Sequence, residues 1–154
     1  MTEHTCNRKY HLDLGELLDR LTILQLKEVN RAGELKEQIT GEIEDIVHDL
    51  NVILNTEGRL KQITGEFLRD LIIIAQFNAH IWMGEDFARK AEENSLGETE
   101  QLRILRLTHS LNGIRNESRN RLQRLLNGRI EKKVDCLASA MSGQFKEQWT
   151  PSGY

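Results

Sequence analysis

The sequence predicts an all-α fold: an antiparallel up-and-down bundle of four main helices, ending in a long C-terminal helical hairpin. Three observations lead there. Apolar residues recur at helical spacing over long stretches. The single proline, Pro151, lies near the end of the 154 residues, so the turn punctuation of a sandwich or barrel is missing. Clusters of turn-forming residues at Asn55–Gly58, Asn94–Gly97 and Asn127–Gly128 cut the chain into helix-length pieces. This length suits one domain over residues 1–154, with 1–11 and 143–154 as loose tails.

The first helix is expected from about Asp13 to Asn30, with Asp13 and Glu16 spaced as a capping box. Leu14, Leu17, Leu18, Leu21 and Leu24 share one face, while Leu12, Glu16, Asp19, Ile23 and Leu26 form a second stripe nearly opposite. A helix apolar on two sides is central in its bundle or covered by another subunit. The second helix, about Glu34 to Leu54, has a plain stripe of Leu35, Ile39, Ile43, Ile46, Leu50 and Ile53.

The third helix is expected from about Arg59 to Glu93, roughly 50 Å if continuous. Its stripe begins Leu60, Ile63, Phe67, Leu71, Ile74 and turns polar at Asn78, Trp82, Glu85 and Arg89. The fourth runs from about Thr99 to Leu126, roughly 40 Å, with Ser95 or Thr99 as its cap. Its stripe is Ile104, Thr108, Leu111, Arg115, Arg119, Leu122 and Leu126. Residues 129–141 either continue it or form a short fifth helix. A long hairpin with an overhang, and the two-sided first helix, suit a homodimer.

Composition narrows the partners. Lys and Arg total 21 against 24 Asp and Glu, interspersed for a net charge of −3, so no basic face for nucleic acid is expected. The longest strongly apolar run, Leu71–Ala75, is far too short to span a bilayer. Cys6 and Cys136 lack CxxC or Cys/His spacing and read as reduced thiols, and MTEHTCNRKYH lacks a signal peptide's apolar run. A cytoplasmic protein without membrane insertion is expected.

Polar residues inside apolar stripes are the candidate functional residues: Glu16 and Asp19 on the first helix, Asn78, Glu85 and Arg89 on the third, Arg115 and Arg119 on the fourth. Folding the hairpin brings Asn78 to the level of Arg115 and Glu85 to that of Thr108. A buried charge without a partner costs several kcal/mol, so these groups pair if the layer is dry. The layer then either fixes helix register or forms a pocket for a small anionic ligand such as a nucleotide or sugar phosphate. In the pocket, Arg115 and Arg119 would be the donors. Trp82 reads as a buried anchor on the same stripe.

A second constellation points to metal chemistry. Glu16-x-x-Asp19 and Glu42-x-x-Asp45 each place two carboxylates on one helix face, a pattern able to hold Mg²⁺. It resembles the metal-binding pattern of all-α nucleoside triphosphate pyrophosphohydrolases, although Asp45 points away from its helix's apolar stripe. No cofactor is expected otherwise, with Mg as the alternative. Asp45-x-x-His48 lies on a polar face and reads as solvated. No GxSxG, P-loop or dinucleotide-binding glycine pattern is present, and a non-enzymatic protein is favoured.

Three stretches carry a family resemblance. LGELLDRLTILQLK (Leu14–Lys27) is similar to GELIDKLTILEIK. NAHIWMGEDFAR (Asn78–Arg89) resembles N-x-x-LW-x-x-ED-x-x-R, and NESRNRLQRLLN (Asn116–Asn127) resembles NDRRAALKREIN. They resemble, in order, an uncharacterised family of small bacterial helical proteins or domains, found alone or joined to tetratricopeptide and glycosyltransferase regions. The resemblance implies an all-helical fold, partners among proteins of surface-polysaccharide assembly, and polar positions at Asp19, Thr22, Lys27, Asn78, Trp82, Glu85, Asp86, Arg89, Asn116, Arg119 and Asn127. Ser118 and Gln123 stand where that family has basic residues, and Met83-Gly84 replaces Asp-Ile.

The pentapeptide QITGE occurs at Gln38–Glu42 and again at Gln62–Glu66, with unrelated continuations. Each copy reads as an early helical turn, with either a mid-helix glycine or a cap that starts the helix late. Only the second has Ile63 and Leu68 placed as a staple around Thr64.

Overall fold

Asp13 opens the first helix as its spacing demands. Its carboxylate accepts the Glu16 N–H at 3.0 Å, and the Glu16 carboxylate accepts the Asp13 N–H at 2.9 Å. The computed structural model describes residues 11–56, 58–90 and 95–130. Within them lie α1 (Leu14–Val29), α2 (Gly33–Thr56), α3 (Gly65–Arg89) and α4 (Glu98–Leu125), with a 3-10 turn at Arg59–Gln62. Successive helices run antiparallel, and the molecule is an all-α helical bundle. The expected helix over 129–141, most of both tails, and Cys6 and Cys136 fall outside the described residues.

The expected third helix is corrected at its start. Gly58, with φ 68°, takes a left-handed conformation that a side chain would strain, and turns the chain into the 3-10 turn. Thr64 then caps α3, its hydroxyl accepting the Phe67 N–H at 3.3 Å. At 25 residues, α3 is about 37 Å long rather than 50 Å. The start of α4 is corrected too: Gly97 is its N-cap, with no side-chain cap bond, rather than Ser95 or Thr99. Its C-terminus ends as the Asn-Gly pair suggests. Asn127 has φ 52°, and the Gly128 N–H reaches back to the Gln123 carbonyl at 2.8 Å, a Schellman closure. Arg59 crosses to the Leu126 carbonyl at 3.0 Å, placing a cation at that helix end.

The α3/α4 hairpin is the most extensive packing, and α1 lies against it while α2 rests mainly on α1. The two apolar sides of α1 are explained by this central position, between α2 on one side and α3 and α4 on the other. Leu14, Leu17 and Leu24 join Ile39, Ile46, Leu50, Phe67, Ile74, Leu122 and Leu126 in the main core. A second core of Ile73, Phe77, Ile81, Leu111 and Ile114 lies within the hairpin alone. There Gly84 permits close approach: a Cβ at that position would sit 2.6 Å from the Thr108 hydroxyl oxygen. No helix among the described residues is long and apolar enough to cross a membrane.

Candidate functional site

Asp19 lies nearly two turns beyond the α1 cap on the side facing the hairpin, and is 4% exposed. Asn78 of α3 donates to its Oδ1 at 2.9 Å. Arg115 of α4 grips it with a two-pronged fork, Nε to Oδ1 at 3.1 Å and Nη2 to Oδ2 at 2.6 Å. Arg119, one turn on, brings Nη1 to 3.8 Å from Oδ2 and donates from Nη2 to Asn116 Oδ1 at 3.1 Å. Thr22 completes the hub, accepting from Asn78 Nδ2 at 2.7 Å and donating to the Asp19 carbonyl at 2.8 Å. One buried carboxylate thus ties α1 to α3 and α4 through charge-assisted bonds, the condition under which burying it is tolerable.

Of the predicted layer, the structure brings Asp19, Asn78, Arg115, Asn116 and Arg119 together, with Asn78 and Arg115 at one level. Glu85, Arg89 and Trp82 lie apart from that cluster. Glu85 and Arg89 lie on the core stripe of α3 but take no part in the hub. They form a local i,i+4 pair at 3.4 Å, each about half exposed. Gly84, next to Glu85, is the residue that meets Thr108, so the hairpin holds the expected level. Trp82 is only partly buried, with the Arg31 guanidinium 5.3 Å from its ring centre in a cation–π contact. It lines a groove of about 440 Å³ beside the end of α1.

The four carboxylates read as a metal set do not converge. Asp19 is held by Arg115, and Glu16 is occupied by the α1 cap and by Arg129 at 3.2 Å. Glu42 pairs with Arg20 at 3.0 Å, and Asp45 faces outward from α2. Among the described residues, no three His, Cys, Asp or Glu side chains approach in the manner of a metal cage.

Other buried polar groups escaped the stripe reading. Asp70 is 3.5 Å from Arg121 across the hairpin. Its place three residues after Phe67 and four before Ile74 is the signal that could have found it. Ser118, fully buried, donates to the Ile114 carbonyl at 2.9 Å. Gln123, also buried, donates to Asp13, whose other oxygen accepts the Arg129 N–H at 3.1 Å. Gly15 and Gly128 leave the space that Gln123 fills, since a Cβ on either would collide with its amide. Ser118 and Gln123 are thus both interior groups.

Beside the hub, a groove of about 350 Å³ opens between α1 and α4. Leu12 and Ile23 form its apolar walls, while Glu16, Arg20, Lys27 and Arg119 supply charges of both signs. Two guanidinium forks and an ammonium around such a space could hold a carboxylate or phosphate. No protein-family model matches this chain, and comparisons with curated proteins and with solved structures give no match either.

Proposed function

We propose that the chain is a non-enzymatic interaction or accessory protein, cytoplasmic and homodimeric, whose buried charged hub sets the register of its helices. The observation that carries this reading is the saturation of Asp19: donors from Asn78 and Arg115 occupy both its oxygens. A carboxylate so engaged stabilises one alignment of α1 against the hairpin and has little capacity left for a substrate. The bacterial origin and partners in surface-polysaccharide assembly rest on the family resemblance alone.

A second reading, a small anionic ligand such as a nucleotide or sugar phosphate, is favoured by Arg20, Lys27 and Arg119 lining the groove beside the hub. The Mg-dependent alternative requires carboxylates that share a ligand, and Glu16, Glu42 and Asp45 instead engage or face elsewhere.

Thermal denaturation with inorganic phosphate, nucleotides and sugar nucleotides, with and without Mg²⁺ or Mn²⁺, separates these readings. A ligand at a hundred times its Kd stabilises by about 2.7 kcal/mol, which raises Tm by roughly 5–10 °C in a chain of this size. The interaction reading expects no rise. A rise that disappears in Lys27→Ala replaces it with the ligand reading.

A further inference from the structure

The apolar residues of α3 do not stop at its core face. Leu68, Ile72, Met83 and Phe87 project from the opposite side, between 45% and 64% exposed, with the half-buried Ala75 and Ala79 between them. The spacing places all six on one broad outer face, with large side chains at both ends and small ones in the middle. A helix apolar on two opposite sides is normally covered on both. Here α1 and α4 cover only part of α3.

We propose that a second copy of this chain covers this face, with the two α3 helices packed antiparallel about a two-fold axis at the level of Phe77 and Asn78. The inference rests on the homodimeric reading above and names its surface. Three features select this occupant and direction. The face is nearly symmetric about that level, so Ile72 of one copy lies opposite Met83 of the other, while Ala75 and Ala79 permit close backbone approach. On the same geometry, Leu68 of one copy stands opposite the groove of about 440 Å³ that Trp82, Met83, Asp86 and Phe87 line on the other. The charges agree as well. Antiparallel packing sets Arg69 at the level of the other copy's Asp86, whereas parallel packing would set each against its own like charge.

Eight large apolar side chains, four from each copy and each about half exposed, leave water together in this arrangement. The closed two-fold arrangement leaves no open surface for further growth.

Light scattering coupled to size exclusion gives the mass, across a concentration series, of the full chain and of Ile72→Glu and Met83→Glu. The full chain is expected at twice the chain mass. Each variant should dissociate at least about tenfold more readily, because a charge buried opposite an apolar side chain is strongly unfavourable. Circular dichroism confirms that the variants remain folded. Direction is read with a bismaleimide cross-linker in a background lacking Cys6 and Cys136. Ile72→Cys chains mixed with Met83→Cys chains should link, and neither should link alone. A single-chain mass for the full protein overturns both the dimer and its surface. A dimer indifferent to both glutamates overturns the surface while the dimer stands, and Ile72→Cys linking to itself overturns the antiparallel arrangement.

Discussion

Replacing Asp19 by Asn removes the hub's charge while keeping its shape. Arg115 then loses its carboxylate, and the new amide presents N–H groups toward donors on Asn78 and Arg115. Removing one partner of a fully buried ion pair costs about 3–5 kcal/mol. The Arg115 side chain keeps 22% of its surface in water, which relieves part of the penalty. The expected loss is about 2–3 kcal/mol, a large share of the roughly 5–15 kcal/mol that holds a domain folded. With a urea m-value near 2 kcal/mol/M, the unfolding midpoint should fall by about 1–1.5 M at unchanged m. A double-mutant cycle with Arg115→Met should give a coupling of about 1.5 kcal/mol or more. Glu85→Gln provides the control: its half-exposed pair with Arg89 is expected to contribute less than about 0.5 kcal/mol. A loss from Asp19→Asn no larger than that of the control would refute the hub as the element fixing register.

Gly84→Ala should lower stability by about 1–2 kcal/mol, because its Cβ meets the Thr108 hydroxyl. In a Thr108→Ala background the same change should become stabilising by up to about 1 kcal/mol through helix propensity, and chemical denaturation reads both signs. Gly41, with open space where a Cβ would go, predicts a gain of about 1 kcal/mol for Gly41→Ala, while Thr64→Ala should lose about 1 kcal/mol with the cap of α3. The Glu66 carboxyl is held below its usual range, first by its own backbone N–H and then by Thr64. A lowered folded-state value contributes stability above the ordinary carboxylate range, lost as pH falls through that lowered value. Glu66→Gln should therefore flatten the acid limb of Tm against pH below about pH 5, and an unchanged limb would show that these bonds do not form.

Helix positions were legible because local chemistry writes them: the Asp13–Glu16 box, the Asn127–Gly128 end and the long apolar periods all reappear in the structure. The start of α3 was harder. Leu60 and Ile63 continue the apolar period through a turn that is not α-helical, so the stripe overran the true cap at Thr64. The hub was half legible. Asp19, Asn78 and Arg115 announce themselves as polar groups in apolar stripes, but so do Glu85 and Arg89. Periodicity reports which face of a helix a residue occupies. It does not report which positions along that face meet a partner on a neighbouring helix.

The two copies of QITGE show the same division. The sequence by itself determined that both segments favour an early helical turn and that only the second carries a staple pattern around Thr64. Tertiary structure decided the rest. Gln38–Glu42 lies inside α2, where Ile39 is buried in the main core. Gln62–Glu66 straddles the end of a 3-10 turn and the cap of α3. Five residues leave the backbone a choice between helix and cap that differs by only about 1 kcal/mol. Likewise, Asp19 and Glu85 are both acids on apolar stripes. Arg115 and Asn78 surround the first and bury it, while the second stays half exposed beside Arg89 of its own helix.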